Sequence, residues 1–373
     1  MFVSDRRRRT EMEENMYRYL GLIAIIPGII YFTFFIRRFL RTILNIHTTP
    51  LIVFTIALIV TLLSFPAINI LNLYGTIYYH FLVIMIILEL LNLVLKRFSI
   101  YQFTFTSGIL GVLVTGIVLG YGYYNIKHVV ATNYQLSSSK IDDLKIIEIA
   151  DLHMSTSMSV SELDSYCKEM SEENADIVVL TGDIFDENTP YQDMIDASKA
   201  LGSIKNDQGI YFVYGNHERA NYQGIEFTPE QIAANLEANG IQVLNDEVVC
   251  LDNINIIGRS DASFWQTNNR ASMADLTALI PKDKKDNYTI VLDHQPLDLE
   301  TNATLKIDLQ LSGHTHGGQL FPMRFFQTLT SDTLVYGQRN IGDFTAITTS
   351  GIAGWRYPIK TGAPSEYVVI NVD

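Results

Sequence analysis

Apolar residues fill the first third of this chain in long unbroken runs and the remainder in short alternating ones, and the pattern changes near residue 125. Residues 19–36, 51–74 and 99–125 are apolar stretches without an acidic or basic side chain, and residues 76–95 carry only His80 and Glu89. A helix needs about 20 apolar residues to cross some 30 Å of hydrocarbon, so the pattern predicts four membrane-spanning helices. Beyond them, strands alternate with helices. Strands are predicted at 145–150, 177–180, 210–214, 288–292 and 307–311, and a hairpin at 247–258 that turns at Asn253. Helices are predicted from 160, from Thr189-Pro190 and from Thr228-Pro229, where proline suits the first helical turn. This pattern divides the chain into a membrane domain (1–125), a polar, serine-bearing linker (126–144) and an α/β domain (145–373).

Within the apolar part, Pro27 and Pro66 are expected to kink their helices. Gly116 and Gly120 form a GxxxG pair that would let the last helix pack closely on a neighbour. Glu89 is the one acid inside a span; it is either functional or reaches Lys96, Arg97 or water from near a helix end. His80 is expected at a membrane interface. The loop cations Arg37, Arg38, Arg41, Lys96 and Arg97 put the first and third loops inside, and hence the N-terminus and the α/β domain outside. Arg6, Arg7, Arg8 and Arg9 argue the other way, diluted by neighbouring acids.

Charge separates the two parts further. Residues 1–125 hold 10 Lys+Arg against 5 Asp+Glu, and residues 126–373 hold 17 against 35. An acidic domain repels polyanions, which argues against nucleic acid as a partner. The two cysteines, Cys167 and Cys250, form no CxxC and imply no disulfide framework.

The candidate chemistry lies just past the predicted strands. Asp151 and His153 follow the first, Asp183 the second, Asn216 and His217 the third, His294 the fourth, and His314 and His316 the fifth. Of eight histidines, only His47, His80 and His128 fall outside these groups. Carboxyl ends of strands are where α/β proteins gather their sites. Residues i and i+2 of an extended segment point the same way, so Asp151/His153 and His314/His316 can each present two ligands to one cavity. Gly182, Gly215 and Gly313 let the backbone turn and approach closely. Asp, Asn and His together suit Mn²⁺, Fe or Zn²⁺, and the lack of thiolate ligands argues against a structural zinc site.

These residues, read as Asp151-Leu152-His153, Gly182-Asp183, Gly215-Asn216-His217-Glu218, His294 and Gly313-His314-Thr315-His316, resemble the signature of the calcineurin-like metallophosphoesterase superfamily. The extension Gly317-Gly318-Gln319 and a tail with Gly354, Arg356, Gly362, Pro364 and Glu366 resemble a bacterial membrane-associated branch (the GHTHGGQ type). That branch includes phosphodiesterases and hydrolases of lipid-linked pyrophosphates. The resemblance implies a four-layer α/β/β/α sandwich with two divalent metal ions, manganese first, iron or zinc otherwise. One metal would take Asp151, His153, Asp183 and His316, and the other Asp183, Asn216, His294 and His314, with Asp183 bridging. His217 would face the phosphate as the catalytic residue, oriented by Glu218 or Asp186. Arg219, Gln319, Trp355 and Arg356 are candidate substrate contacts.

The expected activity is hydrolysis of a phosphodiester or pyrophosphate bond by in-line attack of a metal-bridging hydroxide, on a lipid or cell-envelope substrate at the bilayer. The alternative is a non-enzymatic membrane module whose phosphatase-like domain binds metal or a partner. No Gly-x-Ser-x-Gly elbow, P-loop or His-Glu-x-x-His motif offers a competing chemistry. Oligomeric state has no signature in the sequence.

Overall fold

The computed structural model describes residues 2–69, 72–219, 224–262 and 270–373; side chains are described from residue 21 onward, and of Arg219 only the backbone. The chain forms two compact units, residues 1–121 and 122–373.

The first unit is helical: α1 (Phe2–Thr42), α2 (Pro50–Ser64), α3 (Leu73–Leu95), α4 (Ser99–Thr106) and most of α5 (Ile109–Lys127). Four stretches, Gly21–Thr42, Pro50–Ile68, Leu73–Leu95 and Ile109–Lys127, are long and apolar enough to cross a membrane. Thr49 caps α2 and Pro50 opens it, and Pro66 falls in the 3-10 turn that ends it. The apolar run 99–125 does not form one helix. It breaks at Gly108, whose backbone is left-handed (φ 81°) and whose missing side chain leaves room for the Phe35 ring.

Two further expectations for this unit, for Glu89 and for the GxxxG pair, are corrected. Glu89 reaches neither Lys96 nor Arg97; it accepts from Arg38 at 2.8 Å and from the Tyr31 hydroxyl at 3.0 Å. His80 is buried, its ring bonded to the Thr76 carbonyl. Gly116 and Gly120 face open space, with no heavy atom of the described residues within 4 Å of a built Cβ. Close approaches occur at Gly21, where a Cβ would sit 1.8 Å from the Ile68 carbonyl oxygen, at Gly28, where it would meet the Tyr78 hydroxyl at 2.0 Å, and at Gly111 of α5, where it would meet Met85 Sδ at 2.2 Å.

The second unit contains all the strands. They are β1 (Val129–Leu136), β2 (Leu144–Ile149), β3 (Ile177–Leu180), β4 (Ile210–Val213), β5 (Ile241–Leu244), β6 (Glu247–Cys250), β7 (Ile254–Gly258), β8 (Tyr288–Leu292), β9 (Leu309–Ser312), β10 (Gly337–Ile341), β11 (Phe344–Thr348) and β12 (Ser365–Val372). One sheet runs β1-β12-β2-β3-β4-β5 and the other β10-β11-β9-β8-β7-β6. Residues 129–136, read from sequence as linker, are thus the edge strand of the first sheet, parallel to β12. The hairpin predicted around Asn253 is the antiparallel pair β6–β7.

The helices of this unit are α6 (Val160–Glu172), α7 (Tyr191–Gly202), α8 (Asn216–Arg219), α9 (Pro229–Ala238), α10 (Met273–Ala278), α11 (Leu299–Thr304) and α12 (Met323–Thr330). Period-2 alternation sorts the strand side chains into layers. Ile147, Val178 and Phe212 pack on Leu163 of α6, Met194 of α7 and Ile232 of α9. Ile146, Val179 and Val213 turn the other way, against Ile256, Ile290 and Leu309 of the second sheet. That sheet's outer face packs Ile257, Val291 and Phe344 on Met273 and Leu276 of α10 and Leu299 of α11. The unit is a four-layer α/β/β/α sandwich, and the inward strands are apolar on both faces because both are covered.

The glycine contacts give a test. Gly21→Val forces a branched side chain into the Ile68 carbonyl and should cost about 1–3 kcal/mol, lowering the thermal unfolding midpoint of detergent-solubilised protein. Gly116→Val should leave that midpoint unchanged. Equal effects would show that the helices of this unit pack on another face.

Candidate active site

Each predicted chemical group follows its strand as expected: Asp151 and His153 after β2, Asp183 after β3, Asn216 and His217 after β4, His294 after β8, His314 and His316 after β9. β2, β3 and β4 are parallel neighbours in one sheet, and β8 and β9 in the other. Their carboxyl ends therefore open on one edge of the sandwich. The route differs from expectation in one respect. Asp151, His153, Asp183, His314 and His316 all have positive φ, between 41° and 72°. The paired ligands are aimed by left-handed turns, not by an extended strand. Such backbone is uncommon outside glycine, and it concentrates at functional sites. Two glycines make the crowding possible: a Cβ on Gly215 would lie 2.1 Å from Asp183 Oδ1, and one on Gly313 2.6 Å from Asp151 Oδ2.

Three overlapping groups result among the described residues. Potential ligand atoms of Asp151, His153 and His316 lie within 4.8 Å of one another, and so do those of Asp183, His294 and His314, and those of His153, Asp186 and His217; the first two are the clusters the sequence pairs predict. Asp183 stands between them, with Oδ2 at 3.2 Å from His294 Nε2 and 3.8 Å from His153 Nε2. Asn216 Oδ1 is 3.2 Å from His294 Nε2 and 2.9 Å from His314 Nδ1.

The outer hydrogen bonds fix which atoms face inward. His294 Nδ1 donates to the Thr181 carbonyl at 2.7 Å, because a carbonyl can only accept. Its Nε2 then faces the oxygens of Asp183 and Asn216. His153 Nδ1 donates to Asp186 at 3.0 Å, which turns its Nε2 towards His316 Nε2, 3.2 Å away. Two imidazole nitrogens thus meet at His153 and His316, and two oxygens meet Nε2 of His294. Two divalent cations fit this donor set of imidazole nitrogens and hard oxygens, and the tie from each ring's far nitrogen to an oxygen is the usual support of a metal-binding histidine.

Electrostatics follow the same crowding. Burial raises Asp151 to about 6 despite the opposing pull of His294. Burial would raise Asp183 too, yet His294 and His217 hold it well below the carboxylate range. Burial would lower His217, but the charges of Asp183 and Glu187 bring it up to about 9. Burial and the nearby His294 push His314 down to about 4.

His217 is supported by a residue that spacing did not single out. Its Nδ1 donates to Glu187 at 2.8 Å. Neither expected partner does this: Asp186 takes His153, and Glu218 accepts four backbone amides, those of Asp183, Ile184, Phe185 and Gly215, at 2.6–3.0 Å. The only sequence signal for Glu187 was a second acid in the loop after Asp183. The His217 ring lies 4.8 Å from that of His153 and 5.7 Å from that of Trp355.

The remaining candidates separate. Trp355 borders the site, and the exposed Arg356 stacks on its indole at 4.7 Å. Gln319 is not free to meet a substrate. Its amide clamps the backbone of Trp355 from both sides and also reaches the Ile359 carbonyl. The Arg219 side chain lies outside the described residues. A cavity of about 550 Å³ opens beside the loop after His153, walled by Ser155, Thr156, Ser157, Lys127, Asp193 and Pro358 among others.

Residues 144–318 match the family model of calcineurin-like phosphoesterases. An uncharacterized metallophosphoesterase of Helicobacter pylori is 32% identical over 240 residues, which make up 62% of this chain and 61% of that protein. The uncharacterized metallophosphoesterase YkuE of Bacillus subtilis is 26% identical over 294 residues, 74% of this chain and 99% of its own length. A transmembrane protein with metallophosphoesterase domain from Bos taurus is 26% identical over 239 residues, 61% of this chain and 52% of that one.

The role of Glu218 can be tested directly. Glu218→Ala would leave four amides without their acceptor, at a cost of about 1–3 kcal/mol for each that stays dry. The unfolding midpoint should fall by far more than in Glu187→Gln, which keeps a hydrogen-bonding side chain beside His217. Similar midpoints for the two variants would remove Glu218 from this structural role.

Proposed function

Since residues 144–318 belong to the calcineurin-like phosphoesterase family, we propose that this chain is a membrane-embedded, metal-dependent phosphoric ester hydrolase. One observation carries the reading: two groups of potential ligand atoms meet on either side of Asp183, with His217 alongside. Asp151, His153, Asp183 and His316 would hold one divalent cation. Asp183, Asn216, His294 and His314 would hold the other, with Asp183 shared. When bound, such ions acidify water and neutralise phosphoryl oxygens, and manganese, iron or zinc would serve.

The protein's own part is positional and acid–base. Asp186 and the Thr181 carbonyl hold the rings of His153 and His294 in the required tautomer. Glu187 holds His217 as an imidazolium, ready to donate a proton to the leaving oxygen. Trp355 closes one side of His217, and Arg356, stacked on it, offers charge to a second phosphate or a substrate's flank. We read residues 1–125 as the membrane domain and 145–373 as the catalytic domain. A phosphodiester or pyrophosphate on a lipid or cell-envelope carrier is the favoured substrate, because the catalytic unit is built onto the end of an apolar helix: Asn125 of α5 donates to the carbonyls of Lys360 and Ala363. The loop cations favour an extracytoplasmic catalytic domain.

Two measurements test this. With Mn²⁺ added, the full-length protein should hydrolyse bis-p-nitrophenyl phosphate, and a chelator should abolish the activity. His217→Ala should keep its metal, counted by elemental analysis, and lose on the order of 10²–10⁴ in turnover; Asp183→Asn should lose metal as well. Full activity in both variants would rule out the assignment. For sidedness, Cys250 is the partly exposed thiol and Cys167 the buried one. A membrane-impermeant maleimide should label Cys250 in intact cells; labelling only after lysis would put the catalytic domain inside.

A further inference from the structure

We infer that α12 docks into the interfacial layer of the bilayer spanned by the apolar helices, and thereby opens the active site towards lipid-borne phosphoesters. This rests on the phosphoesterase reading for its purpose, although the docking itself does not require it.

The helix is built the wrong way round for a soluble protein. None of its residues is buried, yet Met323, Phe325, Phe326 and Leu329 are 47–67% exposed, and Phe321 just before it is 44% exposed. Large apolar side chains gathered on one exposed surface element mark an interaction site. The charge pattern agrees. Residues 317–330 contain no Asp or Glu, within a unit that is otherwise strongly acidic, and the one cation, Arg324, is stacked on Tyr336. An anionic lipid surface repels the rest of the unit but not this segment.

What covers it is indicated by where it is tied. The Phe321 amide donates to Thr361 Oγ1 at 2.9 Å, and the Thr361 and Gly362 amides donate back to the Gln319 carbonyl. The neighbouring Lys360 amide donates to the carbonyl of Gly122, inside α5. Gly122 is flanked there by exposed Tyr121, Tyr123 and Tyr124. Tyrosine collects at the boundary between hydrocarbon and water. The root of α12 is therefore tied, through one loop, to the last turns of α5 beside these tyrosines. A helix of eight residues spans about 12 Å, long enough for its apolar face to lie among headgroups and upper acyl carbons. The other end of the tie is the active site. A side chain on Gly318, two residues after His316, would collide with the Arg324 backbone at 2.4 Å, so the first turn of α12 rests on the loop that carries His314 and His316.

The test uses full-length protein in nanodiscs of phosphatidylethanolamine and phosphatidylglycerol. In a Cys250→Ser background, a fluorophore is attached at Phe326→Cys or, as control, at Leu279→Cys, which is exposed beside α10. Lipids carrying a nitroxide near the headgroup should quench the label at 326 by on the order of half and leave that at 279 bright. Equal quenching at both sites overturns the proposal. So does quenching at 326 that depends on two protein copies sharing one disc, which would make the occupant a second chain. In a second arm, Phe325→Ser/Phe326→Ser/Leu329→Ser should cut turnover of a bilayer-embedded phosphodiester on the order of tenfold while bis-p-nitrophenyl phosphate turnover stays within about twofold. A parallel loss on both substrates overturns it. If the unaltered protein hydrolyses neither substrate, the phosphoesterase reading fails, and the quenching arm still decides the docking.

Discussion

Crowding charged and polar groups away from water is costly, and the ends of β2, β3, β4, β8 and β9 bring two aspartates, an asparagine and five histidines together. The Thr181 carbonyl and Asp186 take the outward N–H groups of His294 and His153. The inward nitrogens are left facing Asp183, Asn216 and each other. No packing advantage recommends such an arrangement: burying polar groups costs energy, and charged ones cost more. The sandwich supports it by rigidity. Strands apolar on both faces hold the loops' roots, and five residues in left-handed backbone aim the side chains inward. The site is thus a strained, electrostatically frustrated edge carried by a well-packed body, and divalent cations are what would relieve it.

The surrounding shell divides its acids by role. Glu218, with its oxygens on four backbone amides, shapes the turn from β3 through Asp183. Burial, reinforced by the charge of Asp183, lifts it to about 7, and the amides oppose that shift. Glu187 instead meets an imidazole and sustains its charge. Two glutamates, one adjacent to His217 and one a loop away, therefore exchange the roles that adjacency in sequence suggests. Hydrogen-bond geometry decides between them: Glu218 lies in the short helix α8, turned back under Asp183, while Glu187 comes from the loop opposite His217.

This shows what the sequence could and could not convey. The seven candidate ligands and their strands were legible because strand periodicity and histidine placement are local signals. The four apolar helices were legible for the same reason, since hydrophobic length is local. Contacts between distant segments were not. Nothing near Glu89 points to Tyr31 and Arg38, and nothing in GxxxG says that Gly21, Gly28 and Gly111 make close approaches instead. β1 was missed because an edge strand with alternating burial in a polar, serine-bearing stretch reads as linker. The left-handed turns at Asp151 and His314 were hidden too, since neither residue type announces positive φ. Asp151/His153 and His314/His316 do each share a cavity, but through left-handed turns and not an extended strand.

The junction between helix and catalytic unit is more than a tether. Lys360 is fully buried, and its ammonium donates to the carbonyls of Ser350, Gly351 and Ala353. Burial pushes that amine down to about 7, partly offset by Glu366 and Asp151. Its backbone amide holds Gly122 of α5, and Gly351 packs so closely on Asp151 that a side chain there would lie 2.5 Å from Asp151 Cβ. One residue therefore bonds at its backbone to the end of an apolar helix and at its side chain to the loop behind a proposed metal ligand. The last turns of α5, from Gly122 on, are thus part of the α/β unit and are bonded to the loops that carry Asp151 and Trp355.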